Sequence, residues 1–318
     1  MAEQPLGEVD TGRSIRGERF VRRSECPVCG RPGSPFLSLP YDADPVAGYL
    51  ARHYGGALDT ALFTGERYEL TDCACGLVYQ ARVPHDELLE HIYGHAALHD
   101  PEKENRVRGL DVRRRYANDI EQCIKFFGSE PSSVEVLDFG SGPGLWLDMA
   151  KGYGCVTAGS EMIDSGLERL RASGHEAIPP AELPTGRFHF VNMEQVVEHL
   201  VDPRGTVQRL VSSLRPGGIL RICVPNGTGI RRRLEVGDWE APKGSPTSLD
   251  PVAPLEHVNC FDHGSLRLLG RAVRLEPFHF PLRQHLDQME RIRFAASAVL
   301  HVLHRPRGTL QWFRKPSS

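Results

Sequence analysis

Two Glu-His pairs have the residue types for proton transfer. Glu198-His199 follows one apolar segment, and Glu256-His257 lies within residues 255–261, ahead of a helical pattern. A histidine has an ordinary pKa of about 6.5, and a carboxylate beside it can hold it in place to accept a proton at neutral pH. We therefore predict His257 as a general base, Glu256 as the group that orients it, and His199 as an assisting residue. The alternative is a structural role at the junction of a loop and a helix.

The cysteines form a second pattern, of the kind that binds a metal. Four of the eight cysteines are paired, Cys26 with Cys29 in a C-x-x-C-G sequence and Cys73 with Cys75 in a C-x-C-G sequence. Four thiolates in a tetrahedral arrangement make a closed structural zinc site, which is stable in a reducing compartment. We predict structural zinc on these four cysteines, in a zinc-ribbon-like module over residues 20–84. The short second pair leaves a metal-free turn as the alternative.

A glycine-rich loop follows the strongest strand pattern of the chain. Residues 134–139 are mostly apolar and predict a β-strand, and Gly140, Gly142 and Gly144 come directly after it. At the carboxyl edge of a parallel sheet, such residues let the backbone approach a nucleotide-type cofactor closely. A dinucleotide fingerprint would need its third glycine at the position of Leu145, so an NAD enzyme is disfavoured.

Further strands and a helix must position this loop. Strands are predicted at residues 155–160, 188–194 and 219–224, and a helix is predicted from residue 202 to residue 214. Glu161 ends the first of these strands, about twenty residues after the first glycine, where an acid can accept both hydroxyls of a ribose. Alternating strands and helices predict a mostly parallel sheet that is covered on both faces.

The order of these motifs resembles the class I methyltransferases that depend on S-adenosylmethionine (SAM). The G-x-G-x-G loop, the acid after the second strand, the E-H-L sequence ending at Leu200 and the L-R-P-G-G-x-L sequence carry the resemblance, which spans residues 134 to about 280. It implies an α/β, Rossmann-like domain over residues 131–285, with a mostly parallel seven-stranded sheet and helices on both faces. It also implies SN2 transfer of the methyl group of SAM to an acceptor.

The resemblance assigns cofactor residues as well. The residues implied to bind SAM are Gly140, Gly142, Gly144, Glu161, Asp138, Glu194, Met162 and Met193, with the two methionines against the adenine. The E-H-x-x-x-F sequence that contains His257 lies over the active site in this family. In the sugar C-methyltransferases its histidine is a candidate base, and this resemblance is one reason why His257 is predicted as the base and His199 as the assisting residue.

The cysteine module resembles the zinc-binding module that precedes the methyltransferase domain in enzymes acting on sugars and natural products. It implies a small-molecule acceptor, a sugar, nucleotide sugar or secondary metabolite, methylated on carbon, oxygen or nitrogen. Asn192 does not begin the N-P-P-[YF] tetrad of adenine and glutamine methyltransferases, so those acceptors are less expected. The rival interpretation is a catalytically idle SAM-binding partner protein that docks an assembly through its zinc module.

Length and charge set the remaining expectations. The 318 residues exceed one common domain, and a net charge of -3 gives no strong basic field, so no nucleic acid partner is expected. Residues 1–19 are polar and expected to be disordered, and the lack of a long apolar run predicts no membrane partner and a cytoplasmic location. We expect a helical linker with substrate-side helices at 85–130, a lid-like insertion at 226–254 and a C-terminal helical extension at 286–318. The oligomeric state is open.

Overall fold

The computed structural model describes most of the chain. The described residues are 19–55, 58–85, 88–89, 92, 109–128, 130–281 and 309–316. The expected disorder before residue 19, residues 93–108 of the expected linker and residues 282–308 of the expected C-terminal extension lie outside these ranges. Within the described residues, no helix is both long and apolar enough to cross a membrane.

An antiparallel sheet organises the N-terminal part of the chain. Its elements are β1 (Phe20–Arg22), β2 (Ser34–Pro40), α1 (Val46–Tyr54), β3 (Arg67–Asp72), β4 (Val78–Gln80) and β5 (Arg82–Pro84). Strands β2, β3 and β4 pair in that order, while β1 pairs with β5 in a separate ribbon. The fourth strand of the sheet, β11 (Asn259–Cys260), pairs with β4 and comes from the C-terminal half of the chain. The module predicted for residues 20–84 is therefore completed by a distant strand.

The insertion predicted as a lid, residues 226–254, packs on this sheet. It contains α6 (Ile230–Val236), and its Leu249 and Val252 are buried in the same apolar cluster as Tyr68 of β3. The hydroxyl of Tyr68 also donates a hydrogen bond to the carbonyl of Val252. These few apolar residues are too sparse for a periodic pattern, yet they fix the insertion to the N-terminal sheet.

A seven-stranded sheet forms the second unit, as predicted. Its strands are β6 (Glu135–Phe139), β7 (Val156–Ser160), β8 (Glu176–Ala177), β9 (Phe188–Glu194), β10 (Leu214–Val224), β12 (Glu276–Phe278) and β13 (Thr309–Arg314). Their order across the sheet is β12-β13-β10-β9-β6-β7-β8. Strands β6 to β10 run parallel to their neighbours, and β13 and β12 are antiparallel at one edge. The Rossmann-like α/β fold is confirmed.

Helices cover both faces of this sheet. They are α2 (Leu110–Phe127), α3 (Leu145–Gly152), α4 (Asp164–Ala172), α5 (Pro203–Ser213) and α7 (His263–Ala272). On one face, Ile120 of α2 and Trp146 of α3 belong to the same apolar cluster as Phe190 of β9. On the other face, Leu210 of α5 and Leu266 of α7 belong to a second cluster. Apolar side chains of the helices therefore pack on both faces of the sheet, as is typical of parallel sheets.

The end of the chain differs from its prediction. The helical extension expected over residues 286–318 is wrong at residues 309–314, which form β13 between β10 and β12. Phe313 is buried on one face of the sheet, and Trp312 stacks on Phe190 on the other, with ring centroids 5.7 Å apart. A glutamine precedes these aromatic residues and basic residues follow them, so the sequence shows no clear two-residue alternation. Pairing with β10 decides the conformation.

Candidate active site

The glycine loop between β6 and α3 presents backbone rather than side chains. Gly140, Gly142 and Gly144 have φ angles of +73°, +52° and +79°, in the left-handed region that glycine adopts at low cost. A Cβ at Gly140 would lie 2.4 Å from a methyl carbon of Val196, whereas a Cβ at Gly142 or Gly144 would meet open space among the described residues. The loop therefore has an open surface at the carboxyl edge of the sheet.

Glu161 lies across this loop. Its Oε1 accepts hydrogen bonds from the backbone N–H of Gly142, at 2.5 Å, and from the hydroxyl of Ser141, at 3.1 Å. Burial raises the pKa of Glu161, and these two donors oppose that shift. The acid predicted to accept the ribose hydroxyls is thus held next to the glycines, and that role stays a prediction.

A row of polar side chains crosses the sheet just before the loop. Asp138, Asn192 and Arg221 stand in register on three neighbouring strands. Asn192 Nδ2 donates to Asp138 Oδ1 at 2.7 Å, and Arg221 Nη1 donates to Asn192 Oδ1 at 2.8 Å. Burial raises the pKa of Asp138 to about 7. Since Asp138 is only 4% exposed, it lies beneath the loop and supports the end of β6.

Glu194, at the end of β9, is ion-paired through both of its oxygens. Its Oε1 lies 2.6 Å from Arg115 Nη2 on α2, and its Oε2 lies 2.9 Å from Arg221 Nη1. Arg221 is fully buried and forms a second ion pair with Asp119 of α2, at 3.1 Å. The sequence motifs indicate Glu194 but not its partners Arg115 and Arg221. One signal was present, since an arginine interrupts the apolar run of residues 219–224.

The two methionines predicted to contact the adenine lie in opposite environments. Met162 directly follows Glu161 and is 78% exposed, so a ligand could reach it. Met193 is 0% exposed and belongs to the apolar cluster that contains Leu210 of α5. Side chains alternate along β9, so Met193 faces away from the side that carries Glu194. It has no surface left for a ligand, which corrects its predicted contact with the adenine.

Glu198, His199 and His257 come together at the same edge of the sheet. The first two lie in a short 3-10 helix (Val197–His199) that follows β9, and His257 precedes β11. One donor atom of each residue lies within 4.8 Å of the other two, and the imidazole centroids are 4.7 Å apart. Glu198 and His257 are buried, and burial lowers the pKa of His257, which favours its neutral form at pH 7. The two predicted histidines are thus neighbours.

Glu256 does not orient the imidazole of His257. Its Oε1 accepts hydrogen bonds from Nε2 of His53 at 2.9 Å and from the hydroxyl of Tyr54 at 3.1 Å, both on α1. Burial opposes ionisation, but His53 and the nearby imidazoles keep the pKa of Glu256 well below its ordinary value. The carbonyl of Asp250 accepts the hydrogen bond from His257 Nδ1. The predicted role of Glu256 is therefore corrected, because its partner comes from a distant helix that no local pattern reveals.

The four predicted metal ligands converge. The sulfurs of Cys26, Cys29, Cys73 and Cys75 all lie within 4.8 Å of one another, with Cys26 3.6 Å from Cys75 and Cys29 3.4 Å from Cys73. The pKa of Cys26 is lowered to about 5, chiefly by its hydrogen bond with Cys75. A donor set of four sulfurs fits Zn²⁺, which takes four thiolates tetrahedrally. The shorter second pair still brings both of its sulfurs to the cluster.

Hydrogen bonds join this cysteine module to the loop that carries His257. Gln80 Nε2 donates to the carbonyls of Ala253 and His257, at 3.1 and 3.2 Å. Arg23 donates to the carbonyl of Val258 at 2.6 Å. Strand β4 follows the second cysteine pair closely and pairs with β11. The N-terminal sheet therefore positions one half of the candidate active site.

A family model described as a methyltransferase domain matches residues 110–277, more than half of the chain. The chain belongs to this methyltransferase family. The matched region runs from α2 to β12 and contains the glycine loop, Glu161 and the cluster of Glu198, His199 and His257, while the cysteine module lies outside it. Membership of the methyltransferase family supports SAM as the cofactor.

Individual relatives of this methyltransferase are distant. The tRNA 5-carboxymethoxyuridine methyltransferase of Escherichia coli (strain K12) is 25% identical over 198 residues, which cover 54% of this chain and 73% of the relative. A ubiquinone biosynthesis O-methyltransferase of Coxiella burnetii (strain RSA 331 / Henzerling II) is 25% identical over 192 residues, which cover 55% and 77%. A solved plantazolicin methyltransferase has a TM-score of 0.48 at 13% identity, covering 72% of this chain and 94% of that one. The family supports a SAM-dependent methyltransferase, and these distant relatives do not determine its acceptor.

Proposed function

We propose that the protein transfers the methyl group of SAM to a small-molecule acceptor of the sugar, nucleotide-sugar or secondary-metabolite class. The observation that carries the proposal is the placement of the glycine loop beside the cluster of Glu198, His199 and His257. The loop follows β6, the cluster begins after β9, and these two strands are neighbours in the sheet. Ligands of open parallel sheets bind at this carboxyl edge. A cofactor on the loop and an acceptor at the cluster would therefore meet.

The cofactor side of the proposed site lies on the sheet. The backbone at Gly142 and Gly144 leaves space for the ligand, Glu161 accepts the ribose hydroxyls, and Met162 covers the adenine. SAM supplies a methyl group that its sulfonium already makes electrophilic. The protein therefore contributes mainly by orientation, which can be worth on the order of 7–11 kcal/mol of the activation barrier.

The acceptor side is formed by two parts of the chain together. Glu256 connects α1 to the loop of His257 through its hydrogen bond with His53. Tyr49 of α1 stacks on His53 with centroids 5.3 Å apart, and Trp239 of the insertion meets Tyr49 edge-on at 6.2 Å. These partly buried rings offer flat surfaces next to polar groups, which suits a small acceptor that contains a ring. In this arrangement Glu256 is a positioning residue.

An acceptor at the cluster would meet a neutral imidazole. His257 Nδ1 donates to the carbonyl of Asp250, so Nε2 carries the lone pair of the neutral ring. The predicted base needs such a lone pair, because the lone pair can accept a proton from the acceptor.

The four-cysteine cluster holds structural zinc in this proposal. Four thiolates fill the tetrahedral positions of the ion, so the site serves stability rather than chemistry. The zinc would stabilise the sheet whose side chains hold the loop of His257. We expect about one zinc per chain in the purified protein, measured by metal analysis.

Calorimetric titration of the purified protein with SAM and with S-adenosylhomocysteine tests the cofactor site. Hydrogen bonds to a charged group contribute about 1.5–3 kcal/mol each, so Glu161→Ala should weaken binding by about tenfold or more. Glu168→Ala, at an exposed position of the nearby α4, is the matched control and should bind as the wild type does. Unchanged affinity of Glu161→Ala would remove the ribose assignment. No binding of either ligand by folded wild-type protein would overturn the proposed function.

Transfer of a labelled methyl group from SAM tests the acceptor. The protein is incubated with nucleotide sugars, with phenolic and polyketide metabolites and, separately, with tRNA. Label in the small-molecule fraction supports the proposal. Label in tRNA alone would contradict it and match the acceptor in the name of the Escherichia coli relative. SAM binding without turnover on any acceptor pool would favour the idle partner protein.

A further inference from the structure

The cluster of Glu198, His199 and His257 has the composition of a cation site. Among the described residues, side chains that could hold a metal converge at the four cysteines and at this cluster. The cluster offers one carboxylate and two imidazoles, with a donor atom of each within 4.8 Å of the others. Glu198 is 1% exposed and His257 is 6% exposed, so the donors lie in an environment that excludes most water. Interactions between charges are stronger in such a buried environment than in water.

Backbone carbonyls fix the orientation of both imidazoles. His199 Nδ1 lies 3.0 Å from the carbonyl oxygen of Glu256, and His257 Nδ1 is hydrogen-bonded to the carbonyl of Asp250. A carbonyl can only accept, so each Nδ1 carries the proton and each Nε2 carries the lone pair of a neutral ring. Histidines that bind metals almost always donate their other ring N–H to a carbonyl, a carboxylate or water in this way. Both imidazoles of the cluster thus have the carbonyl contact that orients histidine ligands in metal sites.

We propose that Glu198, His199 and His257 bind a divalent cation, and that this cation receives a hydroxyl group of the acceptor. The proposal rests on the proposed function and narrows its acceptor to an alcohol or a phenol. Two imidazoles and a carboxylate suit a first-row dication, and three protein ligands leave coordination positions open for the acceptor.

A cation at this place explains how an alcohol could be activated. A hydroxyl bound to a dication is more acidic than in water, so its O–H bond breaks and the proton passes to bulk water. The oxygen then forms a bond to the methyl carbon while the carbon–sulfur bond of the cofactor breaks, which leaves S-adenosylhomocysteine. In this arrangement His257 is a ligand of the cation, which replaces the role of general base predicted from the sequence.

The two clusters differ in donor type, which makes them separable by experiment. Thiolates select zinc, whereas nitrogen and oxygen donors also accept Mn²⁺. Mn²⁺ added to protein that already contains zinc should therefore occupy the cluster of Glu198, His199 and His257. Zinc content, measured in parallel, reports separately on the cysteines.

Titration of the full-length protein with MnCl2, with free Mn²⁺ followed by its paramagnetic resonance signal, tests the proposal. The wild type should bind about one Mn²⁺ per chain, and Glu198→Gln and His257→Gln should bind it at least about tenfold more weakly. His263→Ala, which removes an exposed histidine of α7, is the control and should bind as the wild type does. Circular dichroism and SAM titration of each variant show that it is folded, and Glu198→Gln keeps the size of the side chain.

Methyl transfer to an alcohol or phenol acceptor should increase with Mn²⁺ in the wild type and in His263→Ala, but not in Glu198→Gln. Equal Mn²⁺ affinity of the wild type and Glu198→Gln would overturn the cation site, as would the full rate of methyl transfer in protein freed of Mn²⁺ and other added dications. Failure of SAM to bind the folded wild type would remove the proposed function instead, whatever the outcome of the Mn²⁺ titration.

Discussion

Replacement of Arg221 by methionine should destabilise the fold strongly, and more at high pH than at low pH. The guanidinium is fully buried between the sheet and α2, with Nε 3.1 Å from Asp119 and Nη1 2.9 Å from Glu194. Methionine has a similar length and no charge, so both carboxylates lose this cation. Glu194 keeps Arg115 as a partner at 2.6 Å, whereas the side chain of Asp119 is 8% exposed and has little access to water. The loss of stability therefore arises mainly from the buried charge of Asp119.

The size of the effect follows from the burial of the ion pair. Removal of one partner of a buried pair costs about 3–5 kcal/mol, and the whole free energy of unfolding of a domain is about 5–15 kcal/mol. Burial already raises the pKa of Asp119 to about 6 in the presence of Arg221, and loss of the cation would raise it further. An acid with a raised pKa in the folded state loses stability as the pH rises through that pKa. The deficit of Arg221→Met should therefore be larger at pH 8 than at pH 5.

Urea unfolding at pH 5 and pH 8, followed by tryptophan fluorescence, measures this deficit. Arg171→Met, at an exposed position of α4, is the control and should change stability by less than about 0.5 kcal/mol. The double variant with Asp119→Asn should recover stability at pH 8, since the buried charge is gone. A deficit under about 1 kcal/mol at both pH values, or a double variant no more stable than Arg221→Met at pH 8, would refute the reasoning.

Three further changes test other parts of the fold. Gly140→Ala should lower the free energy of unfolding in urea by about 1–3 kcal/mol, because its Cβ would meet Val196. Gly186→Ala is the control, with a φ of +66° and open space around its Cβ, and should lower it less. Equal losses of stability in the two variants would contradict the clash. The melting temperature should fall less between about pH 4 and pH 7 in Asp138→Asn than in the wild type. Burial raises the pKa of Asp138 to about 7, so its carboxyl lowers the stability of the wild type as it ionises. An equal fall in the melting temperature of both proteins would contradict this burial effect. Cys75→Ser should lose zinc in metal analysis and keep its SAM affinity, because the glycine loop lies on the other sheet; loss of SAM binding by the folded variant would contradict this separation.

The positions of the residues proposed to bind the cofactor could be predicted from the sequence because these residues lie at the ends of single strands. Gly140 and Gly142 follow their strand directly, and Glu161 ends the next strand, so the strand ends alone fix where these residues meet. The error at Met193 has a physical cause. Both faces of a parallel sheet are buried, so an apolar strand does not show which of its residues face the helices and which face the ligand edge.

The contacts around the proposed acceptor site could not be predicted to the same depth because they join distant segments. Glu256 and His53 are separated by 203 residues, and their hydrogen bond exists only because α1 packs near the loop of His257. Arg221 and Asp119 meet across the sheet and α2 in the same way. The sequence shows the types of these residues, but a buried ion pair depends on tertiary packing, which no spacing rule contains.

Hydrogen bonds and one strand pairing join the cysteine module to the loop of His257. Strand β11 has two residues, too few to hold a loop by strand pairing alone. The carbonyls of His257 and Val258 are bound by Gln80 and Arg23, so the N-terminal sheet sets the position of this loop. The glycine loop, in contrast, depends on β6 and its neighbours in the central sheet. Changes in the N-terminal sheet should therefore act first on the loop of His257, because its carbonyls are the ones that this sheet binds.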